Sequence, residues 1–260
     1  MKNSTSHETS VSTSKKTTRK QRILAGLVAF FLLFSSVAVY VLIIITRSGG
    51  TSSASSELAD EILNSYEEKS AEYEAKNAEF GDSTQSVRND NLEELVSLRS
   101  EVKAYNAESA NEGLVMKDIK IGSGKELTDE SIGYGIFYIG WCADETVFDS
   151  SLDNFDSPSS LKAPLPVTAT GQLVEGMYKG INGMRVGGVR KITIPSELGY
   201  GDQDAGICDG AGSPLKFVVK TVSLSEESLN IAVELNIIQT DLSNLYMKYL
   251  YASNGLQMGE

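Results

Sequence analysis

One apolar stretch limits what this chain can fold into. The stretch ILAGLVAFFLLFSSVAVYVLIIIT, residues 23–46, contains no charged side chain. About 20 apolar residues are enough for a helix to cross the hydrocarbon of a bilayer, so the sequence predicts a transmembrane helix here. A cleaved signal peptide is the alternative, but its apolar region usually has only about 7–15 residues. We therefore expect a retained membrane anchor.

The basic residues around this stretch are distributed unevenly. Five of them lie shortly before it, at positions 15, 16, 19, 20 and 22, whereas only Arg47 follows it closely. Short segments rich in Lys and Arg stay on the cytoplasmic side of a membrane. We therefore predict a single-pass protein of the cell membrane, with a cytoplasmic N-terminus and an extracytoplasmic C-terminal part.

The part beyond the stretch is strongly acidic. Removing the seven bases and one acid of residues 1–47 from totals of 23 and 35 leaves a net charge of −18 for the remainder. Phosphate backbones would be repelled, so nucleic acid is not expected as a partner. Two cysteines and one histidine are also too few for a Cys/His metal centre. We expect neither metal nor cofactor.

Composition and periodicity divide the chain into six segments. They are a basic tail rich in Ser and Thr (1–22), the apolar span (23–46), a linker containing SGGTSSASS (47–56), a helical segment (57–112), a segment rich in strand-forming residues (113–225) and a C-terminal helical segment (226–260).

The helical segment 57–112 shows two amphipathic runs. The first places Ile62, Tyr66, Tyr73 and Phe80 on one side, and after GDSTQSVRND the second does the same with Leu92, Leu95, Leu98, Val102 and Tyr105. This spacing predicts two helices. An antiparallel hairpin that lifts the next domain from the membrane is favoured over a dimerising coiled coil, because only about two heptads are present.

The C-terminal segment also has helical periodicity, in Ile237, Ile238, Leu242, Leu245, Tyr246, Tyr249 and Leu250. Its apolar side needs a partner. The helical pair of 57–109 is favoured as that partner, and a client-binding surface is the alternative.

Residues 113–225 contain short runs of Val, Ile, Tyr and Phe between turn residues, as expected for an antiparallel sheet. The expected strands are 114–121, 132–142, 146–149, 165–169, 187–195 and 214–224. Between the expected strands 165–169 and 187–195, helical spacing is shown by Val174, Met177, Ile181 and Met184. The sequence therefore predicts an α+β domain in which a short helix packs on the sheet.

Three stretches of this domain resemble the FKBP-type peptidyl-prolyl isomerases. They are YIGWCADETVFDSS, GQLVEGMYKGINGMRVGGVRKITIPSELGYG and SPLKFVVKTVSL, in family order and with nearly family spacing. The resemblance covers about residues 113–225. It implies an antiparallel half-barrel sheet wrapped around a short helix, with a proline-binding pocket between them.

The resemblance also implies roles for individual residues. Catalytic positions would be Tyr138, Phe148, Asp149 and Tyr200, and substrate-binding positions would be Leu165, Leu173, Val174, Met177 and Phe217. The residues alone leave simpler alternatives open. Phe148 and Phe217 lie on predicted strands and fit a core equally well, and Asp149 before two serines fits a turn that bonds its own backbone.

The sequence departs from the family pattern in three places. Met177 stands where the pocket floor is usually tryptophan, and Cys208 and Asp209 stand where paired aliphatic residues are frequent. Leu165 lies between two prolines, in place of an aromatic-rich segment. By the resemblance Cys142 lies near a strand end and Cys208 in the loop over the pocket, and in an oxidising compartment these two cysteines are a possible disulfide.

Two functions follow from these observations. The first is a membrane-anchored prolyl isomerase that binds proline-containing segments of exported or surface proteins and assists their folding. The alternative is an FKBP-like binding or scaffold protein with little or no isomerase activity. Met177 and Cys208 favour the alternative, and the retained aromatic and acidic positions favour the enzyme.

Overall fold

The fold is built around one antiparallel sheet. A computed structural model describes residues 53–128, 131–168 and 173–253. The helices in these ranges are α1 (Ser53–Ser83), α2 (Gln85–Ser97), α3 (Ala107–Ala110), α4 (Glu175–Ile181) and α5 (Glu226–Ser253), with 3-10 turns at Leu98–Glu101 and Ser196–Leu198. The strands are β1 (Val115–Lys120), β2 (Tyr134–Trp141), β3 (Val147–Ser150), β4 (Leu165–Val167), β5 (Val189–Ile194) and β6 (Leu215–Ser223).

The strands are arranged in the order β1-β5-β6-β2-β3, and β4 pairs with β2 beside β3. Every pairing between these strands is antiparallel. Each expected strand is present, with ends within two residues of the predicted bounds. The predicted α+β class with an antiparallel sheet is therefore confirmed.

Strand β2 lies at the centre of the sheet and is buried along its whole length. Tyr134, Ile136 and Tyr138 contribute to a core cluster that includes α4, whereas Phe137 and Ile139 contribute to a second cluster with α2. Side chains alternate between the two faces of a strand. Because both faces are covered, β2 is continuously apolar instead of alternating with polar residues.

Two glycines let helix α4 approach strand β5 closely. A Cβ atom at Gly176 would lie 2.3 Å from Cγ2 of Ile194, and one at Gly180 would lie 2.6 Å from Cγ2 of Ile192. Both distances are far below van der Waals contact. The glycines at this spacing therefore fix the depth at which α4 packs on the sheet.

Helix α2 differs from its expected position. The sequence predicted that the second helix of segment 57–112 would form a hairpin with the first. Instead α2 follows α1 after Thr84, and Leu95 and Leu98 pack with Phe137 and Trp141 on the sheet face opposite α4. The apolar stripe was identified correctly but its partner was not, because periodicity shows which side is buried and not what covers it.

Helices α1 and α5 form an antiparallel pair, which we call the stalk. Phe80 near the end of α1 packs with Ile231 and Leu235 near the start of α5. Further along, Lys76 pairs with Glu234 at 2.8 Å and Lys69 with Asp241 at 3.6 Å. The C-terminal helix therefore packs against the helical segment, as favoured from the sequence, but its partner is α1 rather than a pair of helices.

The predicted membrane span at 23–46 lies outside the described residues, as do the basic tail 1–22 and the first part of the linker, 47–52. Within residues 53–253, apart from the two short gaps, no helix is both long and apolar enough to cross a membrane.

Candidate functional site

The structure brings the predicted pocket residues together on the side of the sheet that carries α4. Tyr138, Met177 and Phe217 are buried members of one apolar cluster. Half-buried side chains pack against the same cluster and complete the predicted set, namely Phe148, Leu165, Leu173, Val174 and Tyr200. These side chains come from strands β2, β3, β4 and β6, from helix α4 and the residues before it, and from the segment after the Ser196–Leu198 turn.

An aromatic wall forms where strands β2, β3 and β6 lie side by side. The ring of Phe217 meets that of Phe148 edge to face, with centroids 5.4 Å apart, and that of Tyr138 at 6.2 Å. Gly140 is paired with β3 and β6 between these rings, and a Cβ there would lie 2.6 Å from Cζ of Phe148. The missing side chain of Gly140 therefore makes room for the wall.

Asp149 supplies a carboxylate at the edge of this wall. It is only 7% exposed. The hydroxyl of Tyr138 donates a hydrogen bond to its Oδ2, and the backbone N–H of Ser150 donates to its Oδ1 at 2.7 Å. Asp149 thus bonds the neighbouring backbone, as its alternative role in a turn predicts. It also accepts a hydrogen bond from the Tyr138 hydroxyl, which a turn residue alone would not do.

Lys162 gives the carboxylate a cationic neighbour. Its Nζ lies 3.5 Å from Oδ1 of Asp149 and donates to the backbone carbonyl of Ser150 at 2.7 Å. The side chain of Lys162 is 40% exposed, whereas that of Asp149 is 5% exposed. A charge that is partly in water thus faces one that is almost fully removed from it. Sequence analysis missed Lys162, because nothing in its local pattern distinguishes it from a surface lysine.

The environment changes the acidity of the polar groups at the site. Burial raises the pKa of the Asp149 carboxyl above its ordinary value, and Lys162 and the Tyr138 hydroxyl oppose that rise. Burial and the nearby charge of Asp149 raise the pKa of Tyr200 to about 12 and that of Tyr138 well above 10. Both tyrosines therefore remain neutral hydrogen-bond donors across the physiological range.

The loop after Tyr200 is tied to the central strand. Cys208 forms a disulfide with Cys142, which directly follows β2, and the two Cα atoms are 5.3 Å apart. Cys208 has φ of 51°, a left-handed conformation that is uncommon for residues other than glycine. Ile207 and Cys208 pack against the apolar cluster. The sequence proposed this disulfide but did not identify Ile207 as a pocket neighbour.

The tryptophan of this chain does not reach the pocket. Trp141 is the only one in the sequence, and it is fully buried on the opposite face of the sheet, where its Nε1 donates to the carbonyl of Lys103 at 3.0 Å. Met177, which is 4% exposed on α4, therefore occupies the apolar cluster without an indole nearby. A flexible thioether fills irregular space well but lacks a flat face.

The fold and the site together define a class of protein. An antiparallel sheet packs on a short helix, and between them lies an apolar aromatic cluster with a tyrosine–aspartate pair at its edge. Sites lined in this way bind a mostly apolar group and orient it with few polar atoms.

This chain is similar to several known proteins. A family model described as FKBP-type peptidyl-prolyl cis-trans isomerase matches residues 134–222. An FK506-binding protein of Neisseria meningitidis serogroup B is 38% identical over 115 residues, which are 44% of this chain and 98% of that protein. The peptidyl-prolyl cis-trans isomerase FKBP15-2 of Arabidopsis thaliana is 35% identical over 92 residues, which are 35% of this chain and 53% of that protein. The crystal structure of AtFKBP13 aligns at 28% identity with a TM-score of 0.34, covering 43% of this chain and 93% of that one.

The chain belongs to the family of FKBP-type peptidyl-prolyl cis-trans isomerases, because nearly the whole length of the Neisseria relative aligns with it at 38% identity. The segment matched by the family model contains strands β2 to β6 and helix α4. The stalk helices α1 and α5 lie outside that segment.

Proposed function

We propose that this chain is a membrane-anchored prolyl isomerase that acts outside the cytoplasm and assists the folding of exported or surface proteins. Its substrates would be proline-containing segments of those proteins. The observation that carries the proposal is the apolar cluster in which the rings of Tyr138 and Phe148 pack on Phe217, with the Tyr138 hydroxyl bonded to a buried carboxylate, Asp149.

The pocket suits rotation about an X-Pro amide. The barrier to that rotation is about 18–20 kcal/mol, because resonance keeps the peptide planar, and the uncatalysed exchange takes tens to hundreds of seconds. No bond breaks, so a nucleophile is unnecessary. A site accelerates the rotation if it binds the twisted amide better than either planar form. The twisted form is less polar, so aromatic walls cost it less desolvation.

The polar groups at the pocket would position the substrate. We assign the Tyr200 hydroxyl and the backbone N–H of Val174 to the carbonyls that flank the proline. The carboxylate of Asp149 would lie near the carbon of the rotating carbonyl, with its orientation set by Tyr138. Asp149 has no general-base role in this mechanism, since no proton is transferred.

Removing Lys162 is expected to change the pH dependence of the reaction. Lys162 lowers the pKa of Asp149 against the effect of burial, so Lys162→Gln should raise that pKa. Asp149 would then bind a proton at a higher pH, and kcat/KM should begin to fall at a higher pH as the solution is acidified. Lys179→Gln is a matched control, because Lys179 pairs at 2.6 Å with the exposed Glu175 instead. Identical pH profiles for all three proteins would contradict the role of Lys162.

Two observations support the extracytoplasmic location. Residues 23–46 form an uncharged apolar stretch preceded by five basic residues. The disulfide between Cys142 and Cys208 is the second observation, because disulfides persist mainly in oxidising compartments.

The location is tested by fractionation and protease treatment. The full chain is expected to stay with membranes in high salt, and protease added to intact cells should digest the part beyond Arg47. A soluble fragment that begins within residues 48–56 would show a cleaved signal peptide instead. Protection of the pocket domain in intact cells would contradict the proposed orientation.

A further inference from the structure

The connection between strands β3 and β4, residues 151–164, carries Lys162 to the carboxylate of Asp149. The connection runs outward and returns on itself, so that Leu152 and Leu161 pair in an antiparallel bridge. Both leucines are only 2% exposed. Lys162 therefore directly follows a residue whose place is fixed by burial.

The cover over these two leucines comes from helix α2. Leu152 and Leu161 belong to the buried cluster that contains Leu95, which is fully buried on α2. The family model matches residues 134–222, so α2 lies outside the matched segment. A helix that precedes the family domain thus forms one side of the connection that carries Lys162.

Arg88 of α2 bonds this connection to the end of the stalk. Its Nη1 donates to the backbone carbonyl of Leu161 at 3.3 Å, and its Nη2 donates to that of Gly81, near the end of α1, at 2.8 Å. A guanidinium presents its donors in a rigid planar fork, so the two carbonyls are held at a fixed separation. Because Leu161 precedes Lys162, the fork fixes the backbone at the base of the lysine side chain.

A second arginine holds the outer end of the same connection. Arg99, in the 3-10 turn after α2, donates from Nη2 to the backbone carbonyl of Asp156 at 3.1 Å. Its guanidinium also lies over the ring of Phe155, 5.2 Å from the ring centroid, a distance at which a cation is attracted to an aromatic face. The helical extension therefore contacts the connection at two separate points.

We propose that Arg88 is a positioning residue for the isomerase reaction: its bond to the carbonyl of Leu161 keeps Lys162 beside the carboxylate of Asp149. The role rests on the proposed function, in which the charge of Asp149 acts on the rotating amide. The side chain of Lys162 is 40% exposed, so burial alone does not hold it in place. A helix outside the matched segment would thereby influence the pocket without touching the substrate.

The groups that face Asp149 make it sensitive to the position of Lys162. The Tyr138 hydroxyl and the backbone N–H of Ser150 donate to the carboxylate, and the carboxylate raises the pKa of the nearby Tyr200 hydroxyl. All three of these groups are neutral. Among the described residues, Lys162 is the cation paired with the carboxylate. Displacing it leaves the effect of burial less opposed, which raises the pKa of Asp149 further.

Titration of the Asp149 carboxyl by carbon-13 NMR of the full chain tests the proposal without relying on turnover. The signal is identified by its absence in Asp149→Asn. Arg88→Gln should move the titration midpoint to higher pH, in the same direction as Lys162→Gln. Arg88→Lys should do so too, because lysine lacks the planar fork. Arg185→Gln is the matched control and should leave the midpoint unchanged, since Arg185 donates to the carbonyl of Gly124 instead.

A double variant separates the position of Lys162 from the charge of Arg88. In a Lys162→Gln protein, Arg88→Gln should not move the Asp149 midpoint any further, because the side chain through which it acts is absent. A second shift as large as the first would show that Arg88 acts through its own charge, and would overturn the proposal.

Two further results distinguish the remaining explanations. If Arg88→Gln and Arg88→Lys melt at a lower temperature but keep the wild-type midpoint, Arg88 is only structural and the proposal is wrong. In the active enzyme, the pH at which kcat/KM falls should move together with the midpoint of Asp149. An inactive wild-type chain would count against the proposed enzyme and not against the link from Arg88 to Lys162, since the titration is measured without substrate.

Discussion

Asp149→Asn is expected to lower kcat/KM for proline peptides by about tenfold to a hundredfold, or roughly 1.4–2.7 kcal/mol. Asparagine has nearly the same shape, and its amide oxygen can still accept from the Tyr138 hydroxyl. The substitution therefore removes mainly the negative charge at the edge of an apolar pocket. In a site with little water that charge interacts strongly with the carbonyl of the twisted amide.

The same substitution at an exposed site separates the loss of charge from a general loss of stability. Asp90 is exposed on α2, far along the chain from the pocket strands, and Asp90→Asn should leave both activity and melting temperature unchanged. If Asp149→Asn loses melting temperature in proportion to activity, Asp149 acts as a turn residue. Full activity in a stable Asp149→Asn protein would exclude its charge from the mechanism.

Removing the disulfide is expected to have the largest effect on stability. Replacing Cys142 and Cys208 together with serine should lower the free energy of unfolding by about 4 kcal/mol, because the bridge closes a long loop in the unfolded chain. The two residues are 66 positions apart. Urea denaturation of wild-type and variant proteins measures the difference. The pocket should also bind substrate less well, since Ile207 and Cys208 pack against it.

A chemical control accompanies the double variant. The wild-type protein treated with a thiol reductant should unfold at the same urea concentration as the double serine variant. Thiol titration of the untreated native protein should detect no free cysteine, because the sequence contains only these two. Two free thiols in the native protein, or equal stability with and without reductant, would contradict the role given to the bridge.

The sequence was sufficient to predict the strands and the pocket helix, for a physical reason. Alternating or continuous apolar runs between turn residues identify strands whatever they pack against, so the bounds of β2 and β6 followed from local pattern. Pocket residues such as Phe148 and Phe217 look like ordinary core residues by that criterion alone. Their assignment needed the family resemblance, and the structure then placed them in one cluster.

The remaining features depend on contacts between distant parts of the chain. Leu95 and Leu98 indicated an apolar face on α2 and the 3-10 turn that follows it, but only the three-dimensional structure shows that the sheet covers this face. Lys162 follows Asp149 by 13 positions, and its approach to the carboxylate depends on the path of the β3–β4 connection. No periodicity encodes such a path. The sequence therefore could not predict that Lys162 opposes the effect of burial on the pKa of Asp149.

The rate of cis–trans exchange of a proline tetrapeptide with the purified full chain shows whether this chain is a prolyl isomerase. We expect faster exchange than in buffer, lower activity for Asp149→Asn, and inhibition by a proline-mimicking macrolide. Because Met177 has no indole beside it, we expect the macrolide to bind more weakly than it would to a tryptophan at this position. Met177→Trp should raise the affinity for the macrolide by about threefold to tenfold. If the wild-type chain neither accelerates exchange nor binds the macrolide, the pocket is not a proline site and the protein is a scaffold.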